Sequence, residues 1–230
     1  MININFHGKE TDFWRCKRIS DDNNFDHSIA LQKAFDQNVL PTKNKNLLIK
    51  FIHFLKNKKN INSQLYQDMF AEFILNIDPK KTFLEFGATD GKHLSNSYTL
   101  ENDFGWTGVL AEPDTQWHSN LNLNRTKCKK IYDCIWKKSD EKINFFSSEI
   151  GEFSTLEEFK YSDIDTIPDN TKARNKKGKI YQVNTISIND VIEKEFNNIS
   201  PSYISVDTEG SELEILNSFN YSKYHPLVFT

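Results

Sequence analysis

The sequence predicts an α/β fold built on a mostly parallel sheet, and two observations carry that expectation. From residue 82 onward, short apolar runs alternate with stretches of helical period, the pattern of βαβ units with right-handed crossovers. The first of these runs ends in an acid and runs into two glycines, in FLEFGATDGK (Phe83 to Lys92), where a parallel sheet places its ligand crevice. A chain of 230 residues suits one such domain with a small appendage. Its 29 basic and 32 acidic side chains leave a formal charge of -3, which offers no basic face for nucleic acid. No apolar run approaches the roughly 18 residues of a membrane span, and the opening MININFHGKE lacks the layout of a signal peptide. The cysteines Cys16, Cys128 and Cys134 are odd in number and form no CxxC. A reduced, cytoplasmic protein is expected.

Residues 1–25 show no clear period and read as a loosely structured arm. Asp26 is placed to cap a helix with apolar positions Ala30, Leu31, Ala34 and Phe35, followed by Pro41. Leu47, Leu48, Phe51, Ile52, Phe54 and Leu55 repeat at helical spacing, as do Leu65, Tyr66, Met69, Phe70, Phe73, Ile74 and Ile77. The Lys/Asn-rich joint from Lys56 to Asn62 separates a helical extension, residues 1–62, from an α/β domain, residues 63–230. Strands are expected at TFLEF (Thr82 to Phe86), TGVLAE (Thr107 to Glu112), KIYDCIW (Lys130 to Trp136), SYISVD (Ser202 to Asp207) and PLVFT (Pro226 to Thr230). Helices around 114–124, 187–197 and 209–219 separate most of them. KINFFSS (Lys142 to Ser148) and KIYQVNTIS (Lys179 to Ser187) read as an antiparallel pair bracketing a long loop. The last strand ends with the chain, so the sheet is either short or truncated at its C-terminal strands.

The glycine loop narrows the ligand. Gly87 and Gly91 have three residues between them and are followed by Lys92 and His93, whereas a Walker loop has four and then Lys-Ser/Thr. The GxGxxG dinucleotide fingerprint is absent because Thr89 stands in the second glycine's place. Acid-x-Gly-x-x-x-Gly suits a cofactor with an amine and no pyrophosphate, as in S-adenosylmethionine; a plain strand-to-helix turn is the alternative. Glu112 ends the second strand, 21 residues beyond Gly91, where an acid accepts ribose hydroxyls in nucleotide folds. Its alternative is capping the next helix, a role that suits Asp114 better. Asp133 lies where an adenine amine would need an acceptor; the alternative is a surface residue of the strand. Asp207, Glu209 and Glu212 follow the fourth strand and could serve as general base, metal ligands or helix N-terminal charges; Glu212 is assigned to the last role. His93, just past the glycine loop, is a further candidate base.

Four pieces together resemble the FkbM family of S-adenosylmethionine-dependent methyltransferases: SQLYQDMF (Ser63 to Phe70), FLEFGATDGKHLSNSYTLE (Phe83 to Glu101), GWTGVLAEPD (Gly105 to Asp114) and YISVDTEGSELEIL (Tyr203 to Leu216). The resemblance implies a Rossmann-like class I methyltransferase fold, with helices on both faces of the sheet. It also implies methyl transfer to a hydroxyl oxygen, commonly of a sugar, sugar-nucleotide or polyketide-type product. By position, Glu85, Gly87, Ala88 and Gly91 would surround the methionine part of the cofactor, and Ser95 and Asn96 would hold its amino-acid end. Glu112 would hold the ribose, and Asp207 and Glu209 would lie near the methyl group. No metal site is assigned, although a divalent ion at Asp207 could lower the acceptor's pKa.

Residues 1–60 have no counterpart in that family, and their helices offer a surface for self-association. His7, His27, His53, His118 and His225 lack metal-ligand spacing, and Trp106, Trp117 and Trp136 read as core. The basic stretch KARNKKGK (Lys172 to Lys179) reads as a solvated loop, or as a flap gripping an acceptor phosphate. The functional expectation is an O-methyltransferase acting on a small carbohydrate acceptor. The alternative is a non-catalytic ligand-binding or assembly module on the same fold.

Overall fold

The computed structural model describes residues 45–56, 58, 61–161 and 177–230. The expected arm, the helix capped by Asp26, Cys16 and most of the basic stretch lie outside the described residues; Lys177 and Lys179 are described and exposed. Helices α1 (Lys45–Leu55) and α2 (Gln67–Leu75) follow the apolar spacing of the sequence. They pack on each other through Phe51, Ile52, Leu55, Tyr66 and Met69, with Phe51 edge-on to Phe70. The apolar stripe of α1 is thus turned onto the α/β domain.

The domain alternates strand and helix at first: β1 (Thr82–Phe86), α3 (Tyr98–Phe104), β2 (Thr107–Ala111), α4 (His118–Asn124) and β3 (Lys129–Ile131). A second group follows, with β4 (Cys134–Trp136), β5 (Lys142–Ser148), β6 (Thr155–Leu156) and β7 (Gly178–Ser187). Then come α5 (Ile188–Glu195), β8 (Tyr203–Val206), α6 (Glu212–Ser218) and β9 (Val228–Phe229). The first sheet has the order β3-β2-β1-β8-β9, with every pairing parallel. The second has the order β4-β7-β5-β6, and β5 runs antiparallel to β7 from Lys142↔Asn184 to Ser148↔Gly178, as the sequence predicts.

Side chains alternate between two cores along the first sheet. Phe83, Leu110 and Tyr203 face a core shared with Leu75, Leu100 and Leu121 from α2, α3 and α4. Leu84, Phe86, Val109 and Ile204 face the other, shared with α5, α6 and the second sheet. This is a Rossmann-like fold with helices on both faces. Strand order reverses beside β1, so the connections leaving β1 and β8 diverge and open a crevice at their carboxyl ends.

Three expectations need correction. The run from Lys130 to Trp136 is two strands in two sheets, because the chain turns at exposed Tyr132 and half-buried Asp133. An acid there does not continue an apolar layer, and Cys134, Ile135 and Trp136 re-enter the core on the other side of the break. The long loop after β5 contains β6, paired antiparallel with β5. The helices expected from 114 and 209 begin at His118 and Glu212, after turns that carry polar side chains of the site.

One buried cation organises the segment between β1 and α3. Arg125, just after α4, is fully buried. Its Nε donates to Glu101 at 2.5 Å, its Nη1 to the Gly91 carbonyl at 3.0 Å and to Ser95 Oγ at 3.2 Å, and its Nη2 to Ser97 Oγ at 2.9 Å and to Cys128 Sγ at 3.3 Å. All five N–H groups of the guanidinium therefore have acceptors. Nη1 also lies 3.8 Å from the Glu85 carboxylate. Breaking a buried ion pair by removing one partner costs about 3–5 kcal/mol. Arg125→Met should lower stability by about that much in urea unfolding, and Arg125→Lys should recover only part, since an ammonium offers three donors without the planar fork. An unchanged midpoint for Arg125→Met would show that Glu85 and Glu101 do not depend on this cation.

Candidate active site

Glu85 and Ser205 are register partners on adjacent strands, so their side chains share a face. Glu85 is buried. It accepts the Asn96 backbone N–H at 2.7 Å, the Ser95 hydroxyl at 3.0 Å and the Ser97 hydroxyl. Burial raises its pKa, while Arg125 and the donors from Ser97, Asn96 and Ser95 pull the other way. Most of its acceptor capacity therefore serves the chain itself. Ser95 is similarly engaged, donating to Glu85 and accepting from Arg125.

Asn96 differs. It is buried, and its Nδ2 donates to Ser205 Oγ at 2.9 Å across the β1–β8 junction, but its Oδ1 has no hydrogen-bond partner. Turning the amide over exchanges an unpaired acceptor for an unpaired donor. A buried polar group left unpaired costs about 1–3 kcal/mol, so this position is suited to a polar ligand group.

The glycines of the loop are explained by close packing. Gly87 has φ +70, and a Cβ there would lie 1.9 Å from the Asp207 carbonyl; Gly91 has φ +75, and a Cβ there would meet Leu121 and Arg125 at 2.6 Å. Ala88 is buried in the core with Leu100 and Leu121. The loop backbone is hydrogen-bonded to the end of β2, since the Gly87 and Ala88 N–H groups donate to the Ala111 carbonyl.

Glu112 follows β2 and continues the ladder, its N–H donating to the Ile131 carbonyl. Its carboxylate accepts Thr89 N–H at 2.8 Å through one oxygen and Asp114 N–H at 2.7 Å through the other. Each oxygen keeps acceptor capacity. Burial pushes Glu112 up to about 7 against those two donors, with Asp114 adding to the rise. Asp133 is half-buried just past the end of neighbouring β3. The Cys134 thiol is pushed up by burial, then by Glu112 and Asp133, which places these groups near one another.

Asp114 is not the cap of α4. It is buried and accepts from Gln116 N and Nε2, from the Ser147 hydroxyl and from the Tyr181 hydroxyl. It thereby fastens the turn after β2 to β5 and β7 of the second sheet.

Asp207 follows β8. It is exposed, yet protein around its carboxylate removes hydration, and this, then Glu212 and Glu85, pushes it up to about 6. Glu209 is half-buried with φ 59. Glu212 accepts the backbone N–H groups of Thr208 and Gly210, the helix-start role expected of it. His93 is exposed in a turn ahead of α3, its backbone N–H on Asp90. Among the described residues, no group of three or more His, Cys, Asp or Glu side chains is arranged to hold a metal ion, and no helix is long and apolar enough to cross a membrane.

Reading the sequence missed Arg125, the Asp114–Tyr181 tie and Thr155, which reaches the turn after β8. A signal existed for Arg125 alone: it stands four residues after buried Leu121, on the same helical face.

The open acceptor sites at Glu112 and the unpaired amide oxygen of Asn96 fit a ligand with paired hydroxyls at one end and an amino-acid group at the other. S-adenosylmethionine has both. No curated protein and no solved structure matches the chain. The family model described as the methyltransferase FkbM domain matches residues 85–229, from Glu85 through β9. The chain belongs to the FkbM methyltransferase family.

Proposed function

We propose that the protein transfers a methyl group from S-adenosylmethionine to a hydroxyl oxygen of a small carbohydrate-type acceptor. The supporting observation is the unpaired Oδ1 of the Asn96 amide at the β1–β8 junction, with the Glu112 carboxylate on the neighbouring strand end. In this reading Glu112 accepts the ribose hydroxyls and Asp133 the adenine amine. Asn96 meets the amino-acid end, and Ser95, Glu85 and Arg125 stand behind it. The backbone from Gly87 to Gly91 lines the floor. The buried thiols of Cys128 and Cys134 are free, which suits a reducing cytoplasm.

The cofactor supplies a methyl group on a sulfonium, so the protein's task is to hold an oxygen nucleophile in line with it. Asp207 takes the hydroxyl proton. A carboxylate pushed up to about 6 is ionised at neutral pH and is a better base than an ordinary aspartate. Glu209, two residues on, orients the hydroxyl.

S-adenosylhomocysteine at 100 times its Kd should stabilise the protein by about 2.7 kcal/mol, and NADH and ATP should not. Glu112→Ala should weaken its binding by about 2–3 kcal/mol, with Glu157→Ala as the unaffected control. Calorimetry showing equal affinities would remove Glu112 from the site. Asp207→Asn should keep that affinity within a few-fold and lower kcat by at least about a hundredfold. Protonation inactivates a base, so wild-type turnover should rise with pH through about 6; the residual activity of Asp207→Asn should lack that limb. A wild-type rate in Asp207→Asn, with no effect of EDTA on the wild type, would shift the base assignment to His93.

A further inference from the structure

Resting on that reading, we propose that Thr155 is a positioning residue for the transfer, because its hydroxyl reaches from the second sheet to fix the turn that carries Asp207 and Glu209. Thr155 is buried on the two-residue strand β6, opposite Phe146 of β5. Its Oγ1 donates to the Glu209 carbonyl at 2.9 Å and lies 3.2 Å from the Thr208 carbonyl. Glu209 is left-handed with φ 59, and Gly210 follows with φ 122. A non-glycine residue holds that conformation only where its surroundings impose it.

The surroundings act from three sides. Glu212 accepts the N–H groups of Thr208 and Gly210 from the start of α6. Gly87 abuts the Asp207 carbonyl, where any larger residue would collide. Thr155 accounts for the carbonyl side and is the contribution from another sheet. That same sheet holds the turn after Glu112, through Ser147 and Tyr181 on Asp114. The turn bearing the cofactor's acid and the turn bearing the base are therefore both referenced to the β5–β7 sheet. A fixed separation between them is what in-line transfer requires, since small misplacements of reacting groups cost large factors in rate.

Carbon-13 carboxyl NMR tests this without turnover. The Asp207 signal, assigned by its loss in Asp207→Asn, is titrated in the wild type, Thr155→Val and Thr155→Ser. Affinity for S-adenosylhomocysteine is measured on each by calorimetry. In the wild type lost hydration, then Glu212 and Glu85, raise the proton affinity of Asp207. Thr155→Val keeps the shape but not the hydroxyl. It should let the turn open and lower Asp207's proton affinity by about tenfold, toward that of an ordinary aspartate. Thr155→Ser should titrate like the wild type, and all three should bind S-adenosylhomocysteine within about twofold, because the Thr155 hydroxyl bonds the Thr208 and Glu209 carbonyls and none of the groups assigned to the cofactor. If Thr155→Val does not fold, Thr155→Ala, which leaves room for water under the two carbonyls, replaces it in the comparison. A hydroxyl-free variant that titrates like the wild type overturns the role of Thr155. A wild-type protein that does not bind S-adenosylhomocysteine overturns the cofactor assignment and leaves the Thr155 result readable.

Discussion

The arrangement rests on burying one guanidinium between two carboxylates. Arg125 has no exposed surface, and its partners Glu101 and Glu85 are also buried. Burying a charge is costly unless it is paired and its hydrogen bonds are complete, and here each N–H of the guanidinium is directed at an acceptor. The acceptors come from separated segments: the Gly91 carbonyl from the glycine loop, Ser95 and Ser97 from the run into α3, and Glu101 from α3 itself. Satisfying Arg125 therefore dictates the path of the chain from Gly91 to Glu101. The Phe83 ring completes the enclosure, with the guanidinium carbon 5.5 Å from its centroid.

That path has chemical consequences. Glu85 stands at the end of a central strand yet gives its oxygens to Ser95, Ser97 and the Asn96 backbone. It acts as a template for the segment, and the residue that the template leaves with an unpaired end is Asn96. The loop's glycines have a matching explanation. Gly91 lets the backbone settle against Arg125, and Gly87 lets β1 and β8 approach closely enough for the Asp207 carbonyl to touch the loop. In the proposed cofactor site, recognition would thus fall to Asn96 and Glu112, held by a shell already saturated with hydrogen bonds.

Much of this was legible in the sequence. The alternation of apolar runs and helical spacing gave β1, β2, β5, β7 and β8 within a residue or two, because those strands are long or buried enough to print their period. Glu112 stood out because it ends an apolar run at a fixed distance from a glycine loop, and Glu212 because an acid at a helix start has its own electrostatic reason. The break at Asp133 was hidden, because KIYDCIW reads as one strand when Asp133 is taken as a surface residue. β6 has two residues, too few for any period. Arg125 sits in NRTKCKK, where a basic residue looks solvated, and its burial depends on acids more than 20 residues away in the chain. Asp114 and Thr155 act across sheets, and contacts of that kind leave no local pattern.

The claim that the β1–β8 junction is a cofactor site framed by Arg125 is most directly tested by a crystal structure with S-adenosylhomocysteine. The ligand's amino-acid group should lie on the unpaired end of Asn96 and its ribose hydroxyls on Glu112, with Arg125 still buried against Glu85, Glu101 and the Gly91 carbonyl. A ligand bound elsewhere, or one that leaves the Asn96 amide unpaired, would contradict it.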